Sequence, residues 1–127
     1  MKTKAKSPKS KDGPHREYYT GGTLAGVGRY ADGKKHGVWK FYLRNGVLRA
    51  TGRFVHGRFE GPWQWHRENG QPLQAGKFKA GQQVGLWQRF HKNGALMDVG
   101  RYVDGKRTGL WKFYDARGKL IRTKAFK

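Results

Sequence analysis

Positively charged side chains dominate the chemistry that this sequence offers. There are 28 lysines and arginines against 8 aspartates and glutamates, and the formal net charge is +20 over 127 residues. An excess of this size attracts polyanions, whatever the fold. The first 16 residues hold only six of the cations, so a basic tail does not account for the excess. The charge indicates an anionic partner for the body of the chain: an acidic protein surface, a nucleic acid or an anionic lipid surface.

Many of the cations recur at intervals of 24 residues. These candidate contacts for an anionic partner are Arg29, Arg53, Lys77 and Arg101, then Lys34, Arg58 and Lys106, and then Lys40 and Lys112. Repetition at fixed positions would line them into rows. The alternative is a solvated face on which lysine keeps sheet edges from aggregating. From Glu17 onward there are 22 cations and 7 acids, an imbalance that favours anion contact over this alternative.

Catalytic and metal-binding patterns are not found in the sequence. The five histidines form neither an H-x-x-x-H nor an H-E-x-x-H pair, and there is no cysteine. Acid–base catalysis needs positioned carboxylates or a histidine with an orienting partner, and acids are scarce here. No glycine-rich phosphate loop is present either. We therefore expect no catalytic residue, metal, cofactor or small-molecule substrate, and hence no enzyme.

Aromatic residues repeat with the same period as the cations. The two aromatic columns are Trp39, Trp63, Trp87 and Trp111, and Tyr30, Phe54, Phe78 and Tyr102. A column of tryptophans could be a stacking platform for bases or sugars. Packing between units is the commoner role of an aromatic residue at a constant place in a repeat, and we favour it.

Turn residues divide each 24-residue unit into two strands. Asp32-Gly33 and its equivalents form one series, and Asn45-Gly46 and its equivalents form the other, about 12 residues apart. Asn-Gly and Asp-Gly are strong hairpin signals because both residues tolerate positive φ. Glycine rows beside the tryptophans leave room for rings to lie over bare backbone. The pattern predicts an all-β protein: an elongated, single-layer antiparallel β-meander of about eight or nine strands.

The repeats also set the expected domain boundaries. Residues 1–12 lie outside the period and are predicted to be a disordered basic arm. Residues 13–127 form the repeat domain, with a partial unit at 13–27, four units at 28–123 and a capping strand to 127. No apolar run approaches the ~20 residues of a membrane span, and there is no secretory signal. We expect a cytoplasmic protein with no transmembrane segment, either free or peripheral at an anionic membrane.

The complete units resemble a known repeat family. GRYADGKKHGVWKFYLRNGVL at Gly28–Leu48 and GRYVDGKRTGLWKFYDARGKL at Gly100–Leu120 are similar to the MORN repeat, in the variant found in YwqK-family antitoxins. The resemblance covers nearly everything after residue 12. It implies a non-catalytic scaffold for protein contacts, sometimes with binding to anionic lipid headgroups. For the YwqK-like subset it implies neutralisation of a cognate toxin by binding.

The middle of the array departs from the family pattern. Trp65 and Arg89 occupy the position of Phe41 and Phe113, and Pro72 replaces Leu48. Trp65 and Arg89 are either part of a dedicated contact surface or tolerated strand substitutions. The function we expect is an antitoxin or scaffold that binds a protein partner, such as a toxin, through a basic-aromatic sheet face. The alternative is direct binding of nucleic acid or an anionic lipid surface.

Overall fold

A computed structural model describes residues 11–127, which form ten strands and no helix. The strands are β1 (Gly13–Tyr18), β2 (Leu24–Ala31), β3 (Lys34–Tyr42), β4 (Leu48–Val55), β5 (Arg58–His66), β6 (Pro72–Lys79), β7 (Gln82–Phe90), β8 (Leu96–Val103), β9 (Lys106–Tyr114) and β10 (Leu120–Phe126). Each strand pairs antiparallel with its neighbours in sequence, in the order β1 to β10. The predicted all-β, single-layer meander is therefore confirmed.

The sheet has ten strands, more than the eight or nine predicted. The difference arises at the ends, because both partial units form complete strands. Pro14 in β1 pairs with Arg29 of β2, and Ala125 in β10 pairs with Leu110 of β9. The predicted disorder of residues 1–12 falls largely outside the described residues. Within them, the Lys11 carbonyl accepts a hydrogen bond from Gly33 N, and Asp12 Oδ1 accepts one from Asp32 N.

Two kinds of turn connect the strands. At Asp32-Gly33 both residues have positive φ, at 54° and 78°, and the equivalent turns behave alike. These are the two-residue primed turns that match the twist of a hairpin. At Asn45-Gly46 the turn is longer, and only the glycine has positive φ. Asn45 instead uses its side chain, whose Oδ1 accepts a hydrogen bond from Val47 N, 3.0 Å away.

Alternation along the strands separates two faces. One face, called here the tryptophan face, carries Trp39 and its equivalents; the other is the reverse face. Every strand pair contains a register shift. In the pairs β2–β3, β4–β5, β6–β7 and β8–β9 the shift lies at Gly28 or its equivalent. Val27 pairs with Lys40 and Arg29 with His36, so Gly28 alone lies opposite residues 37–39. This bulge places the Trp39 ring over Gly28.

The core is a row of four buried tryptophans on the tryptophan face, each packed on a glycine. Trp39, Trp63, Trp87 and Trp111 are between 0% and 4% exposed. A Cβ placed on Gly52 would lie 2.1 Å from Trp63 Cδ2, and the equivalent glycines are as close to their rings. Only glycine fits under these rings. The indole ring therefore replaces the second layer that normally covers a sheet.

Edge-to-face contacts complete the core. Each tryptophan meets the aromatic residue nine positions before it at centroid distances of 5.1 to 5.4 Å and interplanar angles of 80 to 85°. Such contacts are worth about 0.5–1.5 kcal/mol each beyond the area they bury. Three of the indole Nε1 atoms donate to a carbonyl ten residues earlier, as Trp39 does to Arg29 O at 2.9 Å. The Nε1 of Trp111 has no partner within the described residues.

Candidate partner-binding faces

The most regular predicted cations lie on the reverse face. Arg29 and its equivalents directly follow the glycines on which the tryptophan rings pack. Because side chains alternate between faces along a strand, these cations point away from the rings. These four residues, Arg29, Arg53, Lys77 and Arg101, are all exposed. Lys40 and Lys112 are exposed on the same face, each next to a buried tryptophan. The cations do form rows, but not among the core aromatic rings.

Exposed aliphatic residues alternate with these cations across the reverse face. Val38 pairs with Arg53, and Leu86 pairs with Arg101. Val38 is 60% exposed, Leu86 46% and Leu110 57%. The reverse face is amphipathic along its length.

The third series of predicted cations sits at one margin of the sheet. Lys34, Arg58 and Lys106 are the first residues of β3, β5 and β9, next to the two-residue turns. Lys34 packs against the following turn, where a Cβ on Gly57 would lie 3.6 Å from its own Cβ. These cations therefore lie beside the two-residue turns, at the start of their strands.

A large groove lies on the tryptophan face, in the first half of the array. We call it the first groove; its volume is about 510 Å³. Aromatic rings line it, with Ala50 at the place where Gln74 and Asp98 stand in the two following units. Three cations, Lys34, Lys35 and Arg49, border it. Lys35 Nζ lies 5.2 Å above the Trp39 ring. The groove thus combines apolar rings with a positive rim.

The two irregular positions differ sharply in their surroundings. Trp65 stacks on Trp63 at 5.7 Å and joins the wall of the first groove. Arg89 forms an ion pair with Asp98, its Nη2 lying 2.6 Å from Oδ2 and its Nε 3.0 Å from the same oxygen. Hydrogen bonding to this carboxylate raises the pKa of Arg89, against an opposing effect of burial. Within residues 11–127 this is the one salt bridge.

Asp98 is a residue that sequence reasoning missed. Its side chain is 1% exposed, whereas that of Arg89 is 49% exposed. The pair borders a second groove of about 200 Å³. The signal was present in the repeat: Phe41 pairs with Ala50 and, 48 residues later, Arg89 pairs with Asp98. Comparison of positions across units would have shown that a buried acid accompanies the unusual arginine.

A further polar contact lies at the start of the sheet. Tyr30 Oη donates a hydrogen bond to Glu17 Oε2 at 3.2 Å. Burial of the ring raises the pKa of Tyr30, and the neighbouring Glu17 carboxylate raises it further. This contact joins β1 to β2, and Tyr30 also lines the first groove.

The described part of the chain contains neither a cluster of metal-ligating side chains nor a helix that could span a membrane. Across residues 11–127, no three His, Cys, Asp or Glu side chains come together in a way that could hold a metal ion. The same residues include no helix long and apolar enough to span a membrane.

Part of the chain is similar to a known repeat family. Two segments of the chain, residues 35–56 and 107–127, match the MORN repeat variant. Each covers all but the first residue of an odd-numbered strand with its tryptophan, and the whole of the strand that follows. MORN repeats are generally non-enzymatic interaction modules. No curated protein matches the chain at a significant level.

Proposed function

We propose that this protein is a non-catalytic binding scaffold of the antitoxin type, which holds an acidic protein partner on its tryptophan face. The observation that carries the proposal is the first groove, in which aromatic rings are bordered by Lys34, Lys35 and Arg49. Buried aromatic anchors supply most of the energy of protein interfaces, and surrounding charges supply steering and specificity. The YwqK-like resemblance of the repeats supports a toxin as the partner and the cytoplasm as its location.

Capture from a native lysate at two salt concentrations tests this proposal. The bait is the full chain, compared with the double variant K34E/R49E at the groove and R53E/K77E on the reverse face. Both variants lower the formal charge equally, from +20 to +16, because each reversal removes two units. We expect a stoichiometric protein that the groove variant loses and the reverse-face variant keeps.

The toxin assignment needs a second measurement on the captured protein. Its expression alone should arrest growth, and co-expression of the present chain should restore growth. The groove variant should fail to restore it. Recovery of nucleic acid alone, without a stoichiometric protein, would contradict the proposal.

A second candidate function is binding to an anionic lipid surface through the reverse face. The observation that favours it is the row of exposed Val38, Leu86 and Leu110 among the cations. Aliphatic side chains can enter a headgroup region, while each Lys or Arg near an acidic leaflet adds about 1 kcal/mol. Single-stranded nucleic acid suits this face less well, because it stacks on accessible rings and the repeated tryptophans are buried on the other face.

Vesicle flotation separates this candidate from the first. Phosphatidylcholine vesicles with about 30% phosphatidylserine, at ~50 mM salt, should bind the chain and release it as salt rises. The variant R53E/K77E should lose the binding, whereas K34E/R49E should retain more of it. Equal loss in both variants would indicate a response to net charge alone.

A further inference from the structure

The two grooves of the tryptophan face are the same place in the repeat, 48 residues apart. Phe41 corresponds to Arg89, Ala50 to Asp98, and Phe59 to Arg107. Trp63 and Trp111 occupy the equivalent position at the base of each groove. The backbone frame is thus common to both, and only the side chains at the variable positions differ.

The first groove accommodates an apolar side chain. Phe41, Phe54 and Phe59 line it together with Trp63 and Trp65, and its volume is about 510 Å³. Phe59 is 36% exposed, so part of its ring is available to a partner. The cations at the rim have no acidic partner within the described residues. An aromatic or aliphatic side chain with acidic neighbours fits this combination of shape and charge.

The second groove accommodates a carboxylate. Asp98 is neutralised by Arg89, which leaves the Arg107 guanidinium as the uncompensated charge of the groove. Arg107 lies 4.8 Å from the Trp111 ring, which holds it at the border. Arg89 directs Nε and Nη2 to Asp98, and its side chain remains half exposed. Arg107 therefore supplies the guanidinium available to one acidic side chain of about 200 Å³ or less, and the exposed part of Arg89 lines the same groove.

The distance between the grooves sets the spacing of the two side chains in a partner. A shift of 48 residues corresponds to four strands, or about 19 Å at roughly 4.8 Å per strand. An extended chain covers that distance in about six residues. We infer that the tryptophan face binds one extended acidic segment of the partner protein. This inference rests on the proposed function. An apolar side chain occupies the first groove, and a carboxylate about six residues away occupies the second.

Synthetic peptides test the spacing directly. The probes are 14-residue peptides of serine and glycine, blocked at both ends, each with one phenylalanine and one glutamate separated by two, four, six, eight or ten residues. Binding is followed by the indole Nε1–H resonances of the full-length chain, which distinguish Trp63 from Trp111. We expect tightest binding near a separation of six, with both resonances shifted. Replacing the glutamate by glutamine should weaken it roughly tenfold, as one charge-assisted contact is lost.

A swap of the second groove supplies the matched protein variant. R89F/D98A/R107F gives the second groove the residues of the first, which this backbone frame already accommodates at Phe41, Ala50 and Phe59. The swapped chain should prefer peptides with two phenylalanines at the same separation. Thermal unfolding of both chains checks that the swap is folded.

The outcomes separate this inference from the proposed function. An unchanged preference for glutamate in the swapped chain, or affinity that ignores the separation, would overturn the two-groove inference. If the chain still captured its protein partner through the first groove, the proposed function would stand alone. If neither partner capture nor peptide binding depended on groove residues, both would fail.

Discussion

Single glycines decide whether this sheet can form, because the core rings lie directly on them. Gly52 leaves no room for a Cβ beneath Trp63. Gly26 occupies a looser place, where an added Cβ would lie 3.3 Å from Phe41 Cδ1. The equivalent place in the next unit is Ala50, which shows that the frame accepts a methyl group there.

We therefore predict that Gly52→Ala lowers the free energy of unfolding by at least about 3 kcal/mol, since the ring must leave its place. Gly26→Ala is the matched control and should cost less than about 1.5 kcal/mol. Urea denaturation of both variants measures the difference. Equal costs would show that the rings are not tightly seated on the glycines.

The raised pKa of Tyr30 makes a prediction about alkaline stability. The ordinary pKa is 10.0 and the folded value is higher, so the folded chain holds the proton longer than the unfolded chain. The resulting stabilisation is complete below pH 10 and is lost as pH rises through the folded pKa. Tyr30→Phe removes this contribution, and the same column holds phenylalanine at Phe54 and Phe78.

The test is the free energy of unfolding of both chains between about pH 8 and about pH 11. Wild type should lose stability more steeply than Tyr30→Phe at the alkaline end. Parallel curves would mean that Tyr30 titrates alike in the folded and unfolded chains.

Side chains of the longer turns form hydrogen bonds to the next turn, in addition to the backbone hydrogen bonds between paired strands. Asn93 Oδ1 accepts a hydrogen bond from Ala95 N within its own turn, and its Nδ2 donates to Ala116 O of the next turn at 2.8 Å. Asn45 and Asn69 repeat this double role. The asparagines thus form a ladder along one margin of the sheet.

The double role predicts a graded response at Asn93. Asn93→Asp keeps the acceptor and loses the donor, so it should lower the free energy of unfolding by about 1 kcal/mol. Asn93→Ala loses both and should cost about twice as much. Thermal unfolding in moderate salt, which limits the effect of the new charge, gives the comparison. Equal costs for the two variants would show that the acceptor within the turn contributes nothing, and an unchanged stability of Asn93→Asp would show that the contact between turns contributes nothing.

The whole molecule is a linear array in which each strand pairs only with its sequence neighbours. Stability in such arrays is close to a sum over units and their interfaces. Excision of residues 52–75 removes one 24-residue period and brings Gly76 to the place of Gly52. We expect a folded chain whose denaturant m-value is lower by roughly a fifth, in proportion to the surface removed.

Excision of residues 58–69 is the control for this prediction. It removes β5 alone and brings β4 next to β6, so two glycine-bearing strands adjoin without a tryptophan between them. This chain should lose cooperative unfolding. The description of stability as a sum over units would be contradicted if the control unfolded cooperatively. It would also be contradicted if the chain with the 24-residue excision did not unfold cooperatively.

The local sequence pattern was sufficient to predict the fold and to assign residues to the two faces of the sheet. The spacing of Trp39 from Trp63, the turns at Asp32-Gly33 and the period of two along VWKFY predict the meander and place Trp39 opposite to Lys40. These features depend on turn geometry and on alternation, which are properties of short segments. The sequence thus determined the architecture and which cations share a face.

Only the tertiary structure showed which contacts form between residues that vary from one unit to the next. Arg89 and Asp98 come within hydrogen-bond distance because β7 and β8 pair in one register, and the bulges that set the register are not visible in composition. The number of strands was underestimated for a related reason, since His15 and Lys124 break the pattern while their backbones still pair in β1 and β10. Grooves of opposite chemistry arise because the common frame brings residues from four strands together in each groove. Their positions in the chain are fixed by the period, but their contacts depend on cross-strand packing.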